Sequence, residues 1–267
     1  MSNDSININI GGIKEGFGKL KSFFSQKKVL NILFIIFFLA ILITGSWIRT
    51  QNLPLLVDST TGEYIPTALD PFYFLRLSET LLAEGSLPEF DTFRQPFDVG
   101  FSKEIMPRAV VSIFSVWKIF DSNVSLQYIN VISPVIFFIL GLIAFFFLVQ
   151  ALTRSKFAAL ISSAFLAIVP AYIYRTAAGF SDHESIGMFA FFLALLIYTL
   201  AMKFLDKEHP RKKILLKSVL FGVLLGLASS FTIASWGGIA SFLFVIIPLS
   251  FGLFWLGKSQ ERYQEYF

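Results

Sequence analysis

The residues best able to do chemistry sit in one short stretch, Arg175-Thr-Ala-Ala-Gly-Phe-Ser-Asp182-His183-Glu184-Ser185, between two long apolar runs. A minimal turn would join such runs, so ionisable groups gathered here need a reason. Read as extended chain, Asp182 and Glu184 project to one face while His183 points away. Two hard oxygen donors side by side are what Mg2+ or Mn2+ prefers. The plainer reading is a solvated loop whose acids face water, since Asp-x-Glu is too short to be a fingerprint by itself. Arg175 ends an apolar run, where its stem can snorkel or its planar fork can grip a phosphate or pyrophosphate. Asp70 precedes Pro71, and the pair reads as the N-cap and first residue of a helix reaching Glu84, with Gly85 as its stop. A carboxylate has two oxygens, so capping and metal binding can coexist. Trp236-Gly237-Gly238 reads as an interfacial aromatic followed by a close-packing turn. Asn123-Val124-Ser125 is a sequon, a weak signal for a glycan acceptor.

These residues are set in an unusually apolar chain. Of 267 residues, 55% are hydrophobic and 15% charged, with 33 phenylalanines and a mean hydropathy of +0.70. A soluble domain carries roughly 25% charge, so a soluble enzyme is excluded. Cysteine is absent and only His183 and His209 represent histidine, which removes thiol catalysis, disulfides and Cys- or His-rich metal centres. No basic stripe interleaved with aromatics supports nucleic-acid binding.

Crossing about 30 Å of hydrocarbon takes about 20 helical residues. Six runs are predicted to do so, at approximately 29–48, 126–150, 157–173, 186–205, 215–234 and 237–257, the third being short. Lys14, Lys19, Lys21, Lys27 and Lys28 precede the first, Arg154 and Lys156 separate the second and third, and Lys203 to Lys217 surround the fourth-to-fifth connection. Lys258 and Arg262 follow the sixth, so all these cations share one side, which the positive-inside tendency makes cytoplasmic. The expected layout is a cytoplasmic segment 1–28, a membrane domain 29–257 containing an external loop 49–125, and a cytoplasmic tail 258–267. That loop carries about half of the 18 acidic residues, including Asp58, Glu63, Asp70, Glu79, Glu84, Glu89, Asp91, Asp98 and Glu104. A connection of this length is usually functional. Residues 106–120, apolar but interrupted by Arg108 and Lys118, read as an interfacial helix rather than a seventh span.

Three stretches together resemble the catalytic subunit of oligosaccharyltransferase, especially the archaeal form. Asp70-Pro71-Phe72-Tyr73-Phe74-Leu75-Arg76 is similar to the family's D-P-[YFW]-x-x-x-R segment. Arg175 through Glu184 is similar to its R-[ST]-x-x-G-x-x-D-x-[DE] pattern, and Trp236-Gly237-Gly238 to a later Trp-Gly-Gly. The resemblance implies an all-α polytopic bundle of GT-C-type architecture. It also implies Asp70, Asp182 and Glu184 as ligands of a catalytic Mn2+ or Mg2+, with Arg175 lining the site at the external face of a plasma membrane. The implied reaction moves an oligosaccharide from a dolichyl phosphate or pyrophosphate carrier to the Asn amide of an acceptor polypeptide's N-x-Ser/Thr sequon.

The family's later spans, its fifth external loop and its soluble domain with W-W-D-x-G have no counterpart in these 267 residues. The expectation is therefore an N-terminal membrane portion of a longer protein, inactive alone. Two other readings remain open: a different polyprenyl-phosphate-sugar transferase using Asp70 as a metal-independent base, and a transporter or scaffold whose acids are only solvated.

Overall fold

The computed structural model describes residues 27–91, 99–100, 105–206 and 211–265. Lys14, Lys19, Lys21, Asp98, Glu104, Lys207 and His209 lie outside them. The first helix, α1, is Lys27–Thr50, and a 3-10 turn follows at Leu53–Leu56. The long loop contains α2 (Leu69–Glu84), the two-residue strands β1 (Phe90–Asp91) and β2 (Val99–Gly100), and α3 (Ile105–Trp117). The strands pair antiparallel, Phe90 opposite Gly100, a hairpin for which the sequence carried no reading. The remainder is α4 (Leu126–Thr153), α5 (Lys156–Ile168), α6 (Pro170–Thr176), α7 (His183–Leu205), α8 (Arg211–Ser235) and α9 (Gly237–Glu265).

Among the described residues five helices are long and apolar enough to cross a membrane, and α5 with α6 form a sixth crossing if their bent pair is one span. The chain is thus a multi-pass helical membrane protein, and each expected span falls on a helix. The third departs from its expected form. It breaks between Ile168 and Pro170 with a 66° bend, because Pro170 has no N–H to continue the ladder. The 13 residues of α3 extend about 20 Å, too short to cross.

Helix α4 is apolar all round and accordingly lies in the middle of the bundle. Its Phe138 and Leu142 are fully buried with Ala167, Tyr172 and Phe192 of the neighbouring spans. At one end of the bundle, the loop end, Phe74 and Leu77 of α2, Met106 and Val110 of α3, Ile129 of α4 and Ile186 of α7 form a second core. The two helices of the long loop are therefore packed onto the spans rather than tethered beside them. At the opposite end Lys156 Nζ donates to Asn31 Oδ1 at 2.7 Å, and Lys258 pairs with Asp206 at 3.2 Å. Leu215, Val219, Leu227, Phe244, Val245 and Leu249 on α8 and α9 are exposed, as expected where lipid is the solvent.

Candidate functional site at the loop end

The segment from Arg175 to Glu184 is only partly extended. Helix α6 continues to Thr176, and Asp182 is the N-cap of α7, its backbone extended (φ −107°, ψ 166°) and its carboxylate accepting from the His183 N–H at 2.6 Å. His183 and Glu184 are already helical. This corrects the extended reading, because the capping carboxylate starts the helix one residue after itself. His183 also does not point away: its Nδ1 is in contact with Asp182 Oδ1, and its ring lies between Phe74 at 6.0 Å and Trp236 at 5.9 Å. Asp182 and Glu184 converge nonetheless, since the first turn of a helix brings its side chains toward the cap.

Arg175 reaches this pair from α6, NH1 lying 2.9 Å from Glu184 Oε1. Its guanidinium also lies over the Phe180 ring at 5.0 Å, and its side chain stays 47% exposed while that of Glu184 is 13% exposed. Arg175 therefore shows part of its fork to the outside. The second carboxylate oxygen of Glu184, Oε2, is buried and has no hydrogen-bond partner. Burial raises the pKa of Asp182, but hydrogen bonds from the His183 ring and backbone, the charge of His183 and the Glu184 carboxyl outweigh it, and the carboxyl is held below its usual range. The N-terminus of α7 adds its own positive end.

The connecting loop is anchored at Ala178, Gly179 and Ser181, and proline explains the central anchor. Pro134 lies inside α4 and cannot donate to the carbonyl of Asn130, four residues back. That carbonyl instead accepts from Ser133 Oγ at 2.8 Å and from Ser181 Oγ at 2.5 Å, next to Asp182. One residue on, Val131 O accepts from Gly179 N at 2.8 Å, and Gly179 O accepts from Thr67 N at 3.0 Å. Ala178 is held by Arg49 O through its N–H, 2.9 Å, and by Asn52 Nδ2 through its carbonyl, 2.7 Å. Gly179 has φ +88°, and a Cβ there would lie 2.7 Å from both Leu56 Cδ1 and Thr67 Cγ2. The glycine of the sequence pattern is thus required by conformation and by space.

Asp70 is placed differently from expectation. Helix α2 starts at Leu69 with Ala68 as N-cap, no side chain caps it, and the first i→i+4 bond is Phe72 N to Ala68 O at 3.3 Å. The extended backbone of Ala68 begins the helix earlier than the Asp-Pro signature predicts, leaving Asp70 in the first turn, exposed. Among the described residues no three His, Asp or Glu side chains cluster closely enough to hold one ion. Asp182 and Glu184 are therefore brought together with Arg175, while Asp70 stands outside any preformed three-carboxylate cluster.

Trp236 fills the break between α8 and α9. A Cβ on Gly187 would lie 2.6 Å from Trp236 Cβ, and one on Gly238 would lie 2.8 Å from Trp236 Nε1, whereas Gly237 has open space. The close-packing role expected of the pair falls to Gly238 alone, with Gly187 of α7 as an unforeseen partner. Asn123 is exposed, and Ser125 of its sequon is occupied as the N-cap of α4, accepting from Tyr128 N at 3.1 Å.

Fold and site together define a helical membrane protein with a basic and acidic cluster capping one span at the loop end. Residues 32–262 match the family described as oligosaccharyl transferase STT3, N-terminal, and the chain belongs to that family. It is 24% identical over 279 residues to the dolichyl-phosphooligosaccharide-protein glycotransferase of Methanocaldococcus jannaschii, covering 91% of this chain and 30% of that protein. Its fold resembles the oligosaccharyltransferase AglB of Archaeoglobus fulgidus solved with an inhibitory peptide and a dolichol-phosphate, with a TM-score of 0.62, 22% identity, and 76% of this chain aligned to 24% of that one. It likewise resembles an A. fulgidus oligosaccharyltransferase solved with Zn and sulfate, with a TM-score of 0.59, 21% identity, and 74% of this chain aligned to 25% of that one. The chain spans less than a third of the length of these relatives.

Two site features escaped the sequence. Arg49 at the end of α1 is fully buried, though a lone arginine ending a span reads as a snorkelling residue. Arg76, in the Asp-Pro stretch, pairs at 2.5 Å with Asp91, whose side chain is 1% exposed. The available signals were Pro170, which implies a broken ladder needing an outside donor, and the apolar setting of Asp91 beside Phe90.

Proposed function

We propose that the chain forms the donor-handling membrane portion of an oligosaccharyltransferase. It would bind a lipid-linked oligosaccharide, dolichyl phosphate or pyrophosphate, and pass the glycan to the Asn of an N-x-Ser/Thr acceptor. The observation that carries this reading is the Arg175–Glu184 pair beside Asp182 at the N-terminus of α7, in a chain of the STT3 family. Arg175 engages the lipid phosphate through the donors it does not spend on Glu184. The helix N-terminus favours the same negative charge, which grows as the bond between the sugar and the phosphate breaks and the bond to the amide nitrogen forms.

The donor set fits a hard divalent cation, Mn2+ or Mg2+: Asp182 and Glu184 offer carboxylate oxygens, and Glu184 Oε2 is buried without a partner. Asp70, exposed and without a hydrogen bond among the described residues, is the third ligand of the proposal. When bound, the cation supplies positive charge opposite the departing phosphate. An A. fulgidus relative solved with Zn and sulfate supports metal binding in this setting. The cationic end of the bundle, with Lys28, Arg154, Lys156, Lys203, Lys217 and Lys258, faces the cytoplasm in this reading, so the site opens on the external side of a plasma membrane.

The test replaces Glu184 by Gln in the gene of the producing cells and measures glycan occupancy of N-x-Ser/Thr sites on surface proteins by mass spectrometry. Occupancy falls at least ~tenfold, the scale of loss when the support of a bound metal ion is removed. Normal occupancy with the variant protein present at normal level would refute the reading.

A further inference from the structure

Arg49 is a charged side chain at the end of the first span, 0% exposed. Among the described residues no carboxylate pairs with it. Its partners are instead three oxygens that tie two spans together. Nε donates to Thr176 Oγ1 at 2.6 Å, and NH1 donates to both Gly45 O and Ala167 O at 2.9 Å. Its Cζ lies 3.6 Å from the centroid of the Phe138 ring. A buried guanidinium without a counter-ion is costly, so its retention needs a compensating use. Each partner has a local origin. In an unbroken third span the N–H of Ala171 would serve the Ala167 carbonyl; the bend at Pro170 takes that donor away, and Arg49 replaces it. Thr176 is the last residue of α6, on the far side of the same bend and adjacent to Arg175. The Arg49 carbonyl then accepts from Ala178 N. One residue thus grips the span before its break, after its break, and at the start of the loop that leads to Asp182.

We propose that Arg49 is a positioning residue of the candidate site. Its bonds to Ala167 O and Thr176 Oγ1 hold the outer limb of the broken third span so that Arg175 stays within reach of Glu184. The side chain itself touches no ligand; its effect on binding passes through Arg175. The inference rests on the reading of Arg175 as a phosphate-binding group, and its test separates the two.

The chain is reconstituted in nanodiscs as wild type, Arg49→Met, Arg175→Met, and the double variant. Affinity for dolichyl phosphate is measured, together with the 15N guanidinium resonance of Arg175, whose exchange-protected N–H reports the ion pair. Arg49→Met weakens binding about tenfold, the scale of one charge-assisted hydrogen bond, and the protected Arg175 signal is lost. In the Arg175→Met background the same change adds nothing, the mark of a residue that acts through another. Wild-type affinity with an intact Arg175 signal in Arg49→Met overturns the proposal, as do losses that add in the double variant. If Arg175→Met binds dolichyl phosphate as wild type does, the lipid-phosphate reading fails, and the Arg175 resonance in Arg49→Met still decides the positioning role. Should Arg49→Met not fold, Thr176→Val removes the Nε acceptor while leaving Arg49 in place, at the added loss of the Thr176 Oγ1 bond to Tyr172 O within α6. It is expected to weaken binding about threefold with a broadened Arg175 signal, and no change in either overturns the proposal.

Discussion

Replacing Gly179 by Ala strains the loop in two separable ways. At φ +88° an L side chain meets its own backbone, at about 1–2 kcal/mol. Its Cβ would also lie 2.7 Å from Leu56 Cδ1 and 2.7 Å from Thr67 Cγ2, an insertion into packed surroundings that costs about 1–3 kcal/mol more. Gly62 isolates the first cost, since it has φ +72° and nothing within 4 Å of a Cβ. Both substitutions gain the same fraction of a kcal/mol by restricting the unfolded chain, about 0.4–1 kcal/mol, which cancels between them. Equilibrium unfolding in mixed micelles, followed by circular dichroism, is therefore expected to show Gly179→Ala less stable than Gly62→Ala by about 1–3 kcal/mol. Because Gly179 N and O hold Val131 and Thr67, amide exchange across 177–182 also accelerates in Gly179→Ala only. Equal stability of the two variants within about 0.5 kcal/mol would refute the claim that this glycine is required by space.

Pro134→Ala restores an N–H that competes with Ser181 for the Asn130 carbonyl; helix α4 gains a bond, and hydrogen exchange at 178–182 is expected to quicken several-fold, with unchanged exchange contradicting the anchor. Gly238→Ala is expected to shift Trp236 fluorescence and cost about 1–3 kcal/mol, whereas Gly237→Ala leaves the emission as it is; the reverse order would sink the packing assignment. Asp58 accepts from the Thr60 hydroxyl, the Thr60 N–H at 2.7 Å and the Thr61 N–H at 3.4 Å, which hold its carboxyl below the usual range. Its contribution is complete above the unfolded value near ~3.9 and is lost as pH falls through the lower folded one. Thr60→Val should move its NMR titration midpoint upward, and a fixed midpoint would reject the cause.

Composition made the spans legible because a run such as Leu126–Thr153 has no alternative to a membrane or a core. The break in the third span was less so, since periodicity cannot tell a short straight helix from one turned by Pro170. The site was legible as residue types but not as geometry. Asp182 and Glu184 were read as strand neighbours, although an Asp ahead of a long apolar run is also a helix cap, and that reading alone turns His183 inward. Asp70 misled in the other direction, because Asp-Pro is a strong cap signature and Ala68, with no side-chain signal, starts the helix instead. Arg49 was silent because its role depends on a carbonyl freed at the Pro170 break of another span, a relation that no local pattern encodes, and Pro134 marks the Asn130 carbonyl as free without saying that Ser181 takes it.

The proposed function turns on a divalent cation held by the Asp182–Glu184 pair beside Arg175 at the loop end. Electron paramagnetic resonance titration of Mn2+ into the chain in nanodiscs containing dolichyl phosphate tests it most directly. One bound Mn2+ is expected in the wild type, with at least ~tenfold weaker binding in both Asp182→Asn and Glu184→Gln, the effect of losing a ligand carboxylate. Mn2+ binding that is absent from the wild type, or unaffected by both substitutions, would contradict it.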